Sequence, residues 1–417
     1  MRKKILYYII FIIVVLLVLD VYALIRTCRE IEGRCKSKRE EFISASYDVP
    51  KLETPFVHVY NNDGELTNIV LISAPMNRAQ REIYKRYKDG LLFLGISSYL
   101  EFPEVISNPF DIYNDPKHET WDFNYSETLN GWLHPFRNPE VYIKGDRPKI
   151  LMSESDFADH NIIRPVKTEK RFDFIYICPK TEPNKDSCEA DWTSYNKAWN
   201  FTLQCLEVMC KDFDIRGLLV GRKNCKLPRV CGQKMTTTDF LPWERLVKTY
   251  NTARFLFVPN QYDASPRVIT EAMCCDLPIF VNNNILGGWK YVTDETGSSF
   301  NDLEDLSYKL HKFLNNLSSY SPRRHFIDNY GIINSGKKLL NFIATNYSGK
   351  TSVSRFNEYL TIRFPKPNFK YDENAPNVID DIGDEIVNRV EDSVGVVKKI
   401  GQGIKREIDK YELKFFD

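Results

Sequence analysis

The sequence predicts an α/β protein made of two open-sheet domains, and three observations carry that expectation. A chain of 417 residues with 43% apolar content is long enough to build two sizeable cores and too apolar to stay disordered. Apolar runs of strand length alternate with helical stretches in both halves. Within Phe255 to Phe280 the alternation is sharpest: Phe255 to Val258 is an apolar run, Pro259 to Ala264 breaks it, Arg267 to Cys275 contains neither Gly nor Pro, and Pro278 to Val281 is apolar again.

In chain order, Ile5 to Ile25 is apolar apart from Asp20, and at about 1.5 Å rise per residue it matches a hydrocarbon core of about 30 Å. It reads as a transmembrane anchor, because the apolar stretch is long for a signal peptide and no small-residue cleavage site follows. Basic residues lie on both sides, Arg2 to Lys4 before it and Arg26 to Arg39 after it, so charge alone leaves the orientation open. Residues 1–4 are an N-terminal stub and 26–49 a charged stem. The first domain is expected over 50–165. It contains the apolar run Ile69 to Ile72, a helical stretch from Asn77 to Lys88, a second run from Gly90 to Leu100, long loops from Phe102 to Arg147 and a strand from Lys149 to Met152.

The second domain is expected over 166–347. It opens with the strand Phe172 to Cys178, continues with a helix over Asp191 to Lys211 and a strand at Leu218 to Val220, and reaches the Phe255 strand through a helix over Phe240 to Tyr250. Leu303 to Leu317 is an amphipathic helix, and Pro322 to Tyr347 reads as closing helices. Residues 348–376 are linker-like. Over 377–411 apolar residues from Ile379 to Ile408 recur every three or four positions, giving a single stripe within the C-terminal amphipathic helix, 377–417. That stripe could pair with a second copy, lie on a membrane or fold back on its own chain, and its acidic start and basic end favour self-association. The near-neutral net charge, +1, gives no sign of a nucleic-acid partner.

The chemistry concentrates at Asp263 to Phe280. Ser265 can cap exposed backbone N–H groups and Pro266 sits where a missing N–H costs nothing, so a helix begins there with its tip facing a loop at a strand's carboxyl end. Such a tip, here the backbone of Ser265, Pro266, Arg267 and Val268, favours a phosphate. Asp263 on the loop and Glu271 inside the helix flank it, and carboxylates there suit sugar hydroxyls. This stretch resembles the C-terminal half of GT-B glycosyltransferases of the retaining family 4. The likeness rests on Asp263, seven residues, Glu271-Ala272-Met273 and the turn Cys274 to Ile279, and it extends through Gly287-Gly288 and Thr296-Gly297.

The resemblance implies a GT-B fold, two Rossmann-like domains facing a cleft. It implies a glycosyltransferase that uses a nucleotide sugar as co-substrate, passes the sugar to a glycan or other hydroxyl acceptor with retention, and requires no metal or further cofactor. By the same resemblance, Glu271 meets ribose hydroxyls and Asp263 the transferred sugar. The family's Arg and Lys on the donor diphosphate would correspond to Lys180 and Lys185, and Gly287 and Gly288 would let the backbone approach closely. The family's Glu after the paired glycines is replaced here by Tyr291. Arg222, at the end of the next strand, is a further candidate for the diphosphate. On the acceptor side, His134, Asp156 and His160 are the candidates. Asp212-Phe213-Asp214 precedes a strand instead of following one, so it is read as chance and no metal site is expected.

Membrane enzymes of this kind commonly place a short N-terminus in the cytosol and the enzyme in the secretory lumen, and a cytosol-facing domain is the alternative orientation. Of the ten cysteines, Cys188, Cys225 and Cys231 lie in loop-like sequence and are disulfide candidates, whereas Cys178, Cys205, Cys210, Cys274 and Cys275 read as packing residues. A catalytically degenerate module that only binds is the alternative function, motivated by Asp263 in place of Glu and Lys180 in place of Arg.

Overall fold

A computed structural model describes residues 50–181, 188–351 and 358–362. The expectations for 5–25, 26–49 and the 377–417 helix lie outside the described residues. Among those described, no helix is long and apolar enough to cross a membrane.

The first sheet has β1 (Phe56–Asn61), β2 (Leu66–Ile72), β3 (Leu92–Ile96), β4 (Trp132–His134) and β5 (Lys149–Leu151), with β12 (Leu360–Thr361) added at its edge in the order β12-β1-β2-β3-β4-β5. β2 to β5 run parallel and β1 pairs antiparallel with β2 and β12. Helix α1 (Arg78–Tyr87) starts where expected because Asn77 and Gln80 exchange side-chain and backbone bonds in a capping box. Two short helices follow, α2 (Tyr125–Thr128) and α3 (Pro139–Tyr142). β4 lies inside the stretch expected to be loop. Three residues flanked by Asn, Pro and Gly carry no periodicity, yet Trp132 and Leu133 are fully buried and hold the strand in place.

The second sheet is entirely parallel, with β6 (Phe172–Ile177), β7 (Gly217–Val220), β8 (Met235–Thr238), β9 (Ala253–Val258), β10 (Ile279–Asn282) and β11 (Gly297–Phe300) in the order β11-β10-β9-β6-β7-β8. This is the doubly wound arrangement: the chain leaves β6 in one direction, then returns to β9 on its other side, so a crevice opens where the strand order reverses. The central strands are apolar on both faces because helices cover both. On one face Phe174, Phe255, Phe257, Phe280 and Phe300 pack against α5 (Trp199–Asp212) and α8 (Leu303–Asn315). On the other, Ile175, Leu256 and Val281 meet α6 (Trp243–Tyr250) and α7 (Arg267–Cys274).

The helix expected over Asp191 to Lys211 is two helices, α4 (Trp192–Asn196) and α5, broken at Lys197 and Ala198. Ala198 has φ of 53°, the left-handed region that a side chain resists, so the turn is imposed by its surroundings and is invisible to helical spacing. The chain then leaves the second domain after α9 (Pro322–Asn329), and α10 (Gly331–Tyr347) returns to the first. Leu339, Phe342, Ile343 and Tyr347 join the core beneath the first sheet, and Leu360, within the stretch read as linker, pairs with β1.

Two disulfides close around the β6 and β7 ends of the second domain, Cys188–Cys225 and Cys210–Cys231. The first joins two of the loop candidates. The second takes Cys210 from the last turn of α5, where helical position had argued for packing alone. Cys178, Cys205, Cys274 and Cys275 are free and buried. Among the eight cysteines of the described residues, peptide mapping without reduction is expected to recover these two pairs and four free thiols released only by denaturation. Each bridge shortens the unfolded chain's freedom, so reduction should lower stability by about 2–4 kcal/mol per bond, read from the denaturant midpoint. Recovery of all ten cysteines as thiols would overturn the pairing.

Candidate functional site

A cleft of about 400 Å³ opens at the carboxyl ends of β6 and β9, where the strand order of the second sheet reverses. Ser98 and Leu100, following β3, close it from the first domain, and Asp263, Ser265, Arg267, Val268 and Glu271 form its floor. Both acids therefore face the same space. The sequence achieves this locally: β9 ends at Val258, the loop to Ala264 turns the chain, and α7 starts at Arg267, which puts Glu271 little more than one turn below the loop acid.

The helix tip differs from the expected cap. Pro266 is the N-cap residue and no side chain caps the helix. The Ser265 hydroxyl instead meets Ser155 of the first domain, with the two oxygens 2.9 Å apart. Ile269 N–H donates to the Pro266 carbonyl, while the N–H groups of Arg267 and Val268 make no hydrogen bond with the described residues. Both residues line the cleft, and an unpaired N–H at a helix start is what an anion binds.

Each acid has protein partners. Asp263 is buried, accepts a bond from Asn260 Nδ2 at 2.9 Å and pairs with Lys197. Glu271 accepts from Trp243 Nε1 at 3.1 Å on Oε1 and from the Tyr250 hydroxyl at 3.0 Å on Oε2. Both bonds to Asp263 fall on Oδ2, so its Oδ1 keeps capacity for a ligand hydroxyl.

Lys197 is the residue that spacing missed. It lies between α4 and α5, lines the cleft and is the cation nearest the loop acid. The Arg-then-Lys spacing placed these roles at Lys180 and Lys185. Lys180 follows Pro179 at the edge of the cleft without lining it, and Lys185 lies outside the described residues. The signal for Lys197 was the apolar stripe of α5, whose first member, Trp199, comes two residues later.

Arg222 cannot reach a diphosphate. Its side chain is fully buried, donating to the Cys178, Pro179 and Glu189 carbonyls, to Ser194 Oγ at 2.8 Å and to Asp191 at 3.2 Å, with its guanidinium over Trp199. The expectation is corrected: Arg222 is an internal strut that ties the ends of β6 and β7 to α4, and through α4 it positions Lys197. Burial of Asp191 alone would raise its carboxyl pKa. The bonds from Ser194 and Thr181 and the Arg222 charge outweigh that and hold it at about 2.

Gly287 and Gly288 do bring backbone close, but to protein. A Cβ on Gly287 would stand 1.9 Å from the Ala264 carbonyl oxygen, and one on Gly288, at φ of 85°, 2.4 Å from Pro266. They clamp the loop that carries Asp263 from behind, a bond from Gly287 N–H to the Asp263 carbonyl adding to the clamp.

The three acceptor-side candidates separate. His134 ends β4 beside Pro135, which a Cβ on Gly287 would touch. Its Nδ1 is buried without a partner, and burial, with Lys290 and Lys149 nearby, lowers its pKa to about 4, so the ring is neutral near pH 7. None of the three lines the cleft. Asp156 is buried between the domains, accepting from Lys290 Nζ at 2.6 Å, from the Tyr291 hydroxyl and from Ser153 N–H. His160 packs against Gly331, where the chain crosses back to the first domain. Burial explains both corrections, since a loop position gives no indication of it. Among the described residues no three His, Cys, Asp or Glu side chains are grouped to hold a metal.

With this geometry in place, residues 229–331 match the family of glycosyl transferases group 1. No curated protein matches the chain. Solved structures similar to it include TarM, at 14% identity and a TM-score of 0.47 over 66% of this chain and 54% of that one. Sucrose-phosphate synthase from Thermosynechococcus elongatus is similar at 12% identity and a TM-score of 0.47, over 64% and 71% of the two chains. HepE from Anabaena, solved with UDP-glucose, is similar at 9% and 0.46, over 66% and 78%. The aligned part thus spans about half the length of TarM.

The strut has a measurable signature. Arg222→Met leaves Asp191 without its charge partner in a buried setting and is expected to cost about 3–5 kcal/mol in denaturant unfolding. Because the Asp191 carboxyl sits below its unfolded value of about 3.9, its contribution is complete above pH 4 and is lost as pH falls from about 4 toward about 2. The melting temperature of the wild type should therefore fall more steeply over that window than that of Asp191→Asn. Parallel curves would rule out the network.

Proposed function

We propose that this chain, whose residues 229–331 are a glycosyl transferases group 1 segment, is a glycosyltransferase that moves a sugar from a nucleotide donor to a hydroxyl of a glycan. The single observation that carries the reading is the convergence on one cleft of Asp263, Glu271, Lys197 and the open N–H groups of Arg267 and Val268. That set supplies hydroxyl acceptors and diphosphate donors side by side at the reversal point of a parallel sheet.

In this mechanism the diphosphate docks on the Arg267 and Val268 N–H groups and draws Lys197 toward it, which frees Asp263 for the sugar. Glu271, held by Trp243 and Tyr250, takes the ribose hydroxyls. The bond from the anomeric carbon to the phosphate oxygen breaks, the acceptor oxygen bonds to that carbon, and the acceptor proton passes to the departing phosphate oxygen. Charge developing on the leaving group meets fixed dipoles and the Lys197 ammonium, which is stabilisation that requires no metal. Retention of configuration follows from the resemblance. His134, neutral and at the domain junction, is the acceptor-side candidate of this reading, and it does not itself line the cleft.

The two disulfides suit an oxidising compartment. Together with the apolar stretch 5–25, they support a membrane-anchored enzyme facing the secretory lumen. A binding module without turnover is the second reading, favoured by the Lys197 and Asn260 bonds that already engage Asp263.

The test is a panel of nucleotide sugars added to the full chain in detergent. Donor at 100 times its Kd should add about 2.7 kcal/mol of apparent stability, and at least one donor should be hydrolysed or transferred. Glu271→Ala and Lys197→Met should each remove turnover. Stabilisation by a nucleotide without turnover of any donor would favour the binding module, and no stabilisation by any nucleotide would sink both readings.

A further inference from the structure

A second groove, of about 410 Å³, opens between the domains on the other side of the loop that carries Asp263. One wall is the segment after β4, from Phe136 to Tyr142, and the other is the turn after β10, from Asn283 to Leu286. The loop between groove and cleft is thin: Leu286 N–H donates to the Gln261 carbonyl at 2.7 Å and Gly287 N–H to the Asp263 carbonyl at 2.9 Å.

The groove's chemistry is specific. Among the described residues no carboxylate lines it, and its one cation is Arg137. Arg137 uses Nη2 twice, on the Asn283 carbonyl and on Asn283 Oδ1, each at 2.8 Å, while its guanidinium lies 4.5 Å above the Trp289 ring. Trp289 is itself fixed through Nε1 to the Pro135 carbonyl. The remaining N–H groups of Arg137, on Nε and Nη1, make no hydrogen bond with the described residues. Asn283 and Asn284 are held from behind by Asn301, through Nδ2 bonds of 3.0 and 2.7 Å, and Asn301 is held in turn by Asp305. Asn138 begins α3 without capping it, which leaves its amide uncommitted. The apolar part is Val141, which is 54% exposed, and Tyr142, which stacks on the buried Phe136 with ring centroids 4.2 Å apart.

Planar amides and a guanidinium, oriented before any ligand arrives and set beside an aromatic and aliphatic surface, match what a sugar ring presents: hydroxyls around its rim and C–H patches on its faces. The absence of carboxylates means that an acidic sugar would be accepted as well as a neutral one. We propose that this groove binds a saccharide chain, and that it holds the part of the acceptor remote from the reacting hydroxyl. The second half of this statement rests on the transferase reading, and the first half does not. Because the walls belong to different domains, a bound saccharide bridges them and adds to the contacts that hold the cleft together.

Saturation-transfer NMR on the full chain, with chitohexaose, maltoheptaose, cellohexaose and a hyaluronan hexasaccharide as probes, tests the saccharide site. At least one probe should bind, and Arg137→Ala combined with Asn284→Ala should weaken it roughly tenfold or more. Val141→Trp fills the groove while leaving the Arg137 to Asn283 bonds in place, so it should abolish the same binding with an unchanged melting temperature. Stabilisation by nucleotide should be unaffected in all variants, and where turnover is seen, KM for the acceptor should rise while donor hydrolysis stays constant. Binding of none of the four probes, or binding that survives Val141→Trp, overturns the groove assignment and leaves the donor cleft standing. Saccharide binding without any nucleotide effect would keep the groove and remove the transferase.

Discussion

The two domains that form the cleft are joined across a buried ion pair, Asp156 with Lys290. Both side chains are almost fully withdrawn from water, a cost that Coulomb attraction alone does not recover. What offsets it is the completeness of the surroundings: Tyr291 and Ser153 N–H supply the carboxylate, and the Tyr291 and Tyr330 rings flank the ammonium. Burial pulls the Lys290 pKa down and Asp156 opposes that, so the pair is bound to the interface as a unit. Separating the domains would expose each charge to a half-dry surface. The site therefore comes assembled, with the Ser155 to Ser265 contact a few residues away setting the height of the helix tip.

That pair also accounts for a departure seen in the sequence. Tyr291 stands where the family that the sequence resembles would place Glu. The structure gives Tyr291 a different task, donating to Asp156 across the interface. An additional acid at this point would face Asp156 with like charge.

What could be read in advance follows from how local each signal is. Asp263, Ser265 and Glu271 lie within nine residues, and a strand, a breaker and a helix start are all visible over that distance, so the cleft floor was legible. The parallel second sheet was legible for the same reason, its buried strands being apolar on both faces. Lys197 was not, because a longer connection after β6 separates it from the strand, and a fixed spacing selects Lys180 and Lys185 instead. Arg222 looked like a loop cation because its side chain's burial depends on α4, Cys178 and Trp199, which come together only in the fold. β4 was lost among Pro, Asn and aromatic residues whose burial, not their pattern, makes the strand. The partner of Cys231 was hidden in the same way, since the last turn of α5 meets the 229–234 segment through tertiary packing alone.

The return of α10 to the first domain has a bearing on how this chain is made. Leu339, Phe342, Ile343 and Leu360 complete a core whose other members were synthesised some 270 residues earlier, at Val59, Ile69 and Leu71. As the chain emerges in order, the first sheet must wait with its β1 edge unpaired while the whole second domain is translated. The second domain can finish independently; the first cannot. Biosynthesis thus runs from the middle outward, and a nascent chain stopped before α10 carries a finished second domain beside an open, aggregation-prone partner.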